Sequence, residues 1–222
     1  MVMLLSVLSG LAWTVVYVDC IRVGLRDRTY AMPVAALALN IAWESIHAGH
    51  GLVTGASVQT AINVVWALAD AVIVATFVRF GRQEFPDVVT PVMFAVGTGG
   101  LFAIAFAVQG MFIAQFGWHD GAAYAAFLQN VLMSALFIAM FVARRGDRGQ
   151  TLRIAIAKGV GTLAPTVAFG VIQPQRFILG LGLLCAVLDL AYVGLLQWAR
   201  TRPQAFGSSP TPPGSMRAGS SS

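Results

Sequence analysis

Residues 58–79 read VQTAINVVWALADAVIVATFVR. Apart from Asp70 near the middle, nothing in the stretch is charged until Arg79 closes it. Its length matches the roughly 20 apolar residues that an α-helix needs to cross a bilayer. The same reading extends in both directions. Comparable apolar runs occupy about 3–24, 31–48, 88–115, 122–143, 152–171 and 176–199. The sequence therefore predicts an all-α membrane protein, a bundle of seven transmembrane helices filling residues 1–202. Hydrophobic residues make up 58% of the 222 and charged residues only 10%, against about a quarter charged in soluble domains. Mean hydropathy is +0.77. Seven spans leave no length for a separate soluble domain. Residues 203–222 turn to Gly, Ser, Pro and Thr, a composition that cannot bury a core, and are expected to form a disordered C-terminal tail.

The gaps between runs carry the orientation. Arg22, Arg26 and Arg28 mark the first gap, Arg79 and Arg82 the third, and Arg144, Arg145, Arg148 and Arg153 the fifth. Arg200, Arg202 and Arg217 follow the last run, whereas the second and fourth gaps have no Lys or Arg and the sixth only Arg176. By the positive-inside rule the N-terminus lies outside and the C-terminus in the cytoplasm of a multi-pass cell-membrane protein. The net charge of +5 is thereby explained as a topology signal, not as nucleic-acid binding. The first run lacks a basic start and a small-residue cleavage site and contains Asp19, so it reads as a retained helix. Cys20 and Cys185 fall inside apolar runs without ligand spacing, which argues against zinc or a disulfide framework.

Acids inside the runs are the informative residues, because a carboxylate at the bilayer centre costs about 3 kcal/mol on insertion scales. Asp19 has an inexpensive structural explanation in a helix-end pairing with Arg22. Glu44 shares a helical face with Asn40 and His47, beside Trp43. Asn63, Trp66 and Asp70 form a second such stripe. Asn130 and Ser134, next to Gln129, form a third, and Cys185, Asp189 and Tyr192 a fourth. Lipid cannot satisfy these groups, so they are expected to point into the bundle. Interhelical hydrogen bonding, such as Asn130 clamping Asp70, explains Asn63, Asp70 and Asn130 as well as function does. It explains Glu44 and Asp189 less well, since no intramembrane Arg is at hand. Lys158, the one cation inside a run, enters near a helix end and reads as snorkelling.

A carboxyl held without a partner in an apolar pocket is favoured in its neutral form, and a neutral carboxyl is a stored Brønsted acid. Trp13, Tyr17, Trp43, Trp66, Phe127 and Tyr192 stand near the acids along the chain. Aromatic faces of this kind stabilise a carbocation by roughly 2 kcal/mol when desolvated, although each ring alone reads better as packing or as an interface belt. A neutral acid, an apolar cavity and aromatic walls are the requirements of acid-initiated polyene cyclisation.

Five stretches together carry a resemblance: LALNIAWESIHA (37–48), NVVWALADAVIV (63–74), YAAFLQNVLMSALFIAMFVAR (124–144), AKGVGTLAPT (157–166) and CAVLDLAYVGLL (185–196). In order and spacing the chain resembles the small seven-helix terpene cyclases of meroterpenoid and indole-terpenoid pathways, of the pyripyropene and paspaline type. The resemblance implies that Glu44 and Asp189 are the essential acids. They are expected to face one cavity, with Glu44 favoured as the proton donor and Asp189 as the alternative donor. The resemblance places Trp66 and Asp70, and Gln129 and Asn130, in the family pattern. Asn40, Trp43, Phe127 and Tyr192 are expected to complete the substrate site. The resemblance further implies cyclisation without metal or cofactor, in the manner of acid-initiated, class II-like enzymes, started at a terminal alkene or epoxide. Arginine outnumbers lysine 13 to 1, which together with the tail composition suggests a high-GC bacterium and a drimentine-type branch. The implied substrate is a farnesylated indole.

Other classes fit less well. A retinal protein needs a lysine in the seventh run, which has none. A diphosphate-ionising prenyltransferase needs clustered, Mg²⁺-binding aspartates, whereas the acids here are scattered. A seven-helix transporter of PQ-loop type is the alternative, on the strength of Pro174-Gln175, but that dipeptide lies in a loop and is not duplicated.

Overall fold

A computed structural model describes residues 1–201, which contain helices and no strands; the expected tail at 203–222 lies outside the described residues, as do Arg202 and Arg217. The chain runs α1 (Val2–Arg26), α2 (Val34–Thr54), α3 (Val58–Phe80), a 3-10 turn (Gly81–Glu84), α4 (Pro91–Arg144), α5 (Leu152–Pro165), a π-helical stretch (Thr166–Ile172) and α6 (Arg176–Thr201). Helix starts follow local capping chemistry. Ser57 and Thr60 form a reciprocal capping box at α3. The Thr90 and Thr151 hydroxyls accept the Met93 and Ile154 backbone N–H groups at α4 and α5. Pro33 delays α2 to Val34, later than the apolar run that begins at 31.

The fourth and fifth apolar runs are joined in α4, and the break between them is a single residue. Gly117 has φ 78 and ψ 176, inside a region that L side chains avoid. Gln109 and Gln129 nevertheless hydrogen-bond at 2.8 Å. Twenty residues of straight helix would separate them by about 30 Å, so the chain folds back at Gly117 into two antiparallel arms, 91–116 and 118–144. In the sixth run, Pro165 lacks the N–H that continues an α-helix, and the π-helical stretch follows directly.

By length and composition five helices are apolar enough to cross a membrane: Val2–Arg26, Val58–Glu84, Pro91–Arg144, Leu152–Ile172 and Arg176–Thr201. Asn40, Glu44, His47 and His50 dilute α2. That helix packs between α3 and α4 instead of presenting a purely apolar surface. Contacts run α1–α3–α2–α4–α6–α5 and back to α1, closing a ring of helices. Inside the ring Val16, Tyr17, Cys20, Ile73, Met133, Phe137, Ile154 and Tyr192 form the main core. Ala38 and Ala42 of α2 meet Ala105 of the first α4 arm, a close approach through small residues.

The three arginine-bearing connections meet at one end of the bundle. Arg148 pairs with Glu84 at 3.0 Å, Thr29 donates to Glu84 at 2.7 Å, and Arg144 donates to the Tyr30 carbonyl at 3.0 Å. Arg26 lies 2.6 Å from Asp27, and its hydrogen bond holds that carboxyl below the usual carboxylate range. Asp19 belongs to the same end. It pairs with Arg153 at 3.0 Å and accepts from Thr151 at 3.4 Å, not with Arg22 as its spacing had implied.

Candidate active site

Asn40 and Glu44 sit one turn apart on the inward face of α2, both buried. Asn40 anchors a chain of side-chain hydrogen bonds that crosses the bundle. Its Nδ2 donates to Tyr17 Oη of α1 at 2.5 Å and to Asp70 Oδ2 of α3 at 2.8 Å. Its Oδ1 accepts from Gln129 Nε2 at 3.4 Å, and Gln129 Oε1 accepts from Gln109 Nε2 at 2.8 Å. Asp70 is thus held by Asn40 and not by Asn130, which the sequence had offered as its clamp. Glu44 stands apart: among the described residues its carboxyl Oε2 is sealed from solvent and has no hydrogen-bond partner.

Glu44 faces a cavity of about 450 Å³, within the ordinary range for small-molecule sites. Trp13, Tyr17, Trp43, Trp66 and Phe127 wall it, with Asn40, Gln129 and Asn130 beside them. The rings are fixed in place. Tyr17 lies between Trp13 and Trp66, at 6.5 and 5.7 Å between centroids. Trp43 Nε1 donates to the Ala122 carbonyl at 3.0 Å. Trp13 also presses on α5, where a Cβ at Gly161 would come within 2.9 Å of its indole. Thr162, Pro165 and Phe169 supply the wall from α5 and the π-helical stretch. The cavity reaches Gln59, His119, Gln173 and Gln175, near the arginine-poor connections and away from the Arg148–Glu84 end.

Asp189 is placed differently from expectation. It does not line the Glu44 cavity. Its Oδ1 accepts from Lys158 Nζ at 2.8 Å, and the same ammonium donates to Ser134 Oγ at 2.5 Å. Lys158 is wholly buried, so it does not snorkel, and Asp189 is not an acid without a cation. The reason is tertiary: α5 turns Lys158 inward toward α6 and the second α4 arm. The pair lies just behind the cavity wall, because Ser134 donates to the Asn130 carbonyl at 2.9 Å and Thr162 follows Lys158 by one turn. Asp70 and Tyr192 also lie outside the lining; Tyr192 donates to Gln150 Oε1 at 2.5 Å and packs on Phe137. His47 packs against Trp43 in a tilted arrangement, with ring centroids 4.4 Å apart.

A buried, unpartnered carboxyl beside fixed aromatic faces suits proton-initiated carbocation chemistry. Comparison with known proteins bears on that directly. Residues 1–198 match the Pyr4-like transmembrane terpene cyclases. The chain belongs to this family. Among relatives of this Pyr4-like cyclase, the terpene cyclase pyr4 of Aspergillus fumigatus is 26% identical over 211 residues, covering 85% of this chain and 82% of its own. The Pyr4-family terpene cyclase mfmH of Annulohypoxylon moriforme is 26% identical over 172 residues, covering 74% and 68%. The terpene cyclase ascF of Acremonium egyptiacum reaches 38% over 77 residues, covering 35% and 28%. No solved structure matches.

Of the expected site residues of this Pyr4-like cyclase, Glu44, Asn40, Trp43, Trp66, Phe127, Gln129 and Asn130 come together around one cavity. Asp70 supports it through Asn40. Trp13 and Tyr17 belong to the wall although sequence reasoning treated them only as nearby aromatics; their four-residue spacing, continuing from Ser9, was the available signal. Thr162 gave no signal. Its hydroxyl is buried without a partner among the described residues and lines the cavity.

Proposed function

We propose that this membrane terpene cyclase closes the prenyl chain of a prenylated aromatic, a farnesylated indole in the first instance, by protonation from Glu44. The carboxyl gives its proton to the terminal alkene carbon, or to the oxygen of a terminal epoxide. The resulting tertiary cation is captured by the π electrons of the next alkene, which forms a ring bond and moves the charge along the chain. Loss of a proton from carbon ends the sequence, and a proton returned to Glu44 restores the acid, so product and substrate are isomers. Trp13, Tyr17 and Trp66 face the migrating charge, at about 2 kcal/mol for a desolvated cation–π contact. Asp189, paired with Lys158 behind the wall, acts as a positioning residue: it holds Lys158, whose bond to Ser134 orders the Asn130 segment of the cavity wall. The reaction needs no metal in this scheme.

In this reading the two arms of α4 count separately and the chain crosses the membrane seven times, N-terminus outside, with the Arg148–Glu84 end in the cytoplasm. A drimentine-type enzyme of a bacterium is the branch we favour, from the arginine bias and the composition of residues 203–222. The observation that carries the proposal is Glu44, whose buried Oε2 has no hydrogen-bond partner among the described residues and whose side chain lines an aromatic-walled cavity. Incubating membranes with farnesylated indoles tests it: cyclised products of unchanged mass are expected. Recovery of the linear substrate alone, across indole and other prenylated aromatic heads, rejects it.

A further inference from the structure

A second cavity lies on the other side of the amide chain. It is a cleft of about 610 Å³ between α2 and the two arms of α4, lined by apolar side chains except for Gln109 and Gln129. Its rim residues Ile104, Leu128 and Leu132 are 63%, 44% and 40% exposed, on helix surfaces that face the bilayer. Three features tie it to the Glu44 cavity. Gln129 lines both spaces. Asn40 borders the first and Gln109 the second, so the partition is made of side-chain amides that rotate without moving backbone. The bond from Gln129 to Asn40, at 3.4 Å, is the longest joint in that partition, while Gln109 is anchored to Gln129 at 2.8 Å and to the Leu39 carbonyl at 3.2 Å.

From this continuity we infer that the cleft is a membrane-side vestibule that binds the extended isoprenoid chain of the substrate before it enters the Glu44 cavity, with Gln109 and Gln129 as the latch between them. The inference rests on the cyclase reading above. An isoprenoid is the occupant that fits. It is wholly apolar, like the cleft, and the small side chains of Ala35, Ala105, Ala125 and Ala135 leave recesses along the lining for branching methyl groups. A prenylated molecule dissolved in the bilayer meets this opening without passing through water. Rotation of Gln129 breaks its weakest bond and joins the two spaces.

The test separates binding from turnover. The full chain carrying Glu44→Gln, in phosphatidylcholine nanodiscs, is photolabelled with a farnesyl indole bearing a diazirine on its terminal isoprene. Adducts are expected on 101–112 and 128–135, displaced by excess unlabelled farnesyl indole. Adducts confined to the Glu44 cavity, or cleft adducts that the competitor does not displace, as for bulk lipid contact, overturn the inference. In the otherwise native enzyme, Ala35→Phe and Ala135→Phe fill the cleft from its rim. Each is expected to raise KM by about tenfold with kcat little changed, the pattern of lost uniform binding; unchanged KM in both overturns the vestibule. If native membranes cyclise no prenylated aromatic, the proposed function falls, and the labelling pattern still decides what the cleft binds.

Discussion

Lys158 Nζ stands 2.8 Å from Asp189 Oδ1, with the lysine wholly shielded from solvent and its second polar contact, Ser134 Oγ, at 2.5 Å. This is the only Lys–carboxylate pair available to the chain, which has a single lysine. The pair divides the two acids that the sequence treated alike. Glu44 faces the cavity without a bond, and Asp189 is bound behind the wall.

Removing one partner of a buried ion pair strands the other, at about 3–5 kcal/mol, whereas replacing both costs little. Asp189→Asn and Lys158→Met are therefore each expected to lower the melting temperature in detergent, and the double variant to recover most of it. Turnover is expected to stay at the Asp189→Asn level in the double variant, because neutral replacements restore packing but not the lysine bond that orders Ser134 and the Asn130 segment. Recovery of turnover together with stability would reduce the pair to scaffolding.

Loss of a general acid costs about 10²–10⁴-fold in rate. Glu44→Gln is expected to fall by that much in cyclised product per enzyme, with insertion and melting temperature close to the parent, since Glu44 gives up no hydrogen bond among the described residues. Asp19→Asn serves as the contrast. Its partners are Arg153 and Thr151 at the arginine-rich end, and its turnover is expected to remain near the parental value. Near-parental cyclisation by a well-folded Glu44→Gln enzyme removes Glu44 as the donor.

Chelation gives an independent check on reaction class. Among the described residues no three His, Cys, Asp or Glu side chains gather closely enough to hold a metal ion. Activity in EDTA-washed membranes is expected to equal that in untreated ones. Loss on chelation with rescue by Mg²⁺ would point to diphosphate ionisation instead.

Topology is testable without substrate. The connections around residues 27–33, 81–90 and 145–151 meet through Thr29, Glu84, Arg144 and Arg148. Reporter fusions after residues 28, 82 and 148 are expected to report cytoplasm, and fusions near 52 and 119 the outside. A cytoplasmic signal near 52 contradicts the proposed order of crossings.

Much of the scaffold was legible along the chain. Runs at 58–79 and 176–199 became α3 and α6 within a residue or two, because hydropathy and capping are local properties. The fourth and fifth runs, expected at 88–115 and 122–143, instead share one helical stretch broken at Gly117. A single glycine can reverse a helix only when the arms have surfaces to pack, and that is settled by Gln109 meeting Gln129, not by the residues near the bend. In the site, Asn40, Glu44, Trp66 and Asn130 stood on faces readable from helical spacing, since residues on one inward face converge wherever helices close into a ring, and Gln129 came from the family resemblance. Trp13 and Tyr17 carried only a four-residue spacing, which packing produces as well as cavity lining does, and Thr162 carried no signal.

What the sequence determined by itself was an all-helical chain with apolar spans and a few inward-facing polar stripes, since 3.6-residue periodicity and the cost of burying charge operate within each helix. Which polar groups find partners was decided only in the tertiary structure. The rotation of α5 about its axis brings Lys158 to Asp189, and the approach of α1 and α3 to α2 ties Asn40 to Tyr17 and Asp70. Those contacts depend on the relative azimuth of helices far apart in sequence, and they leave Glu44 as the carboxyl facing the aromatic cavity.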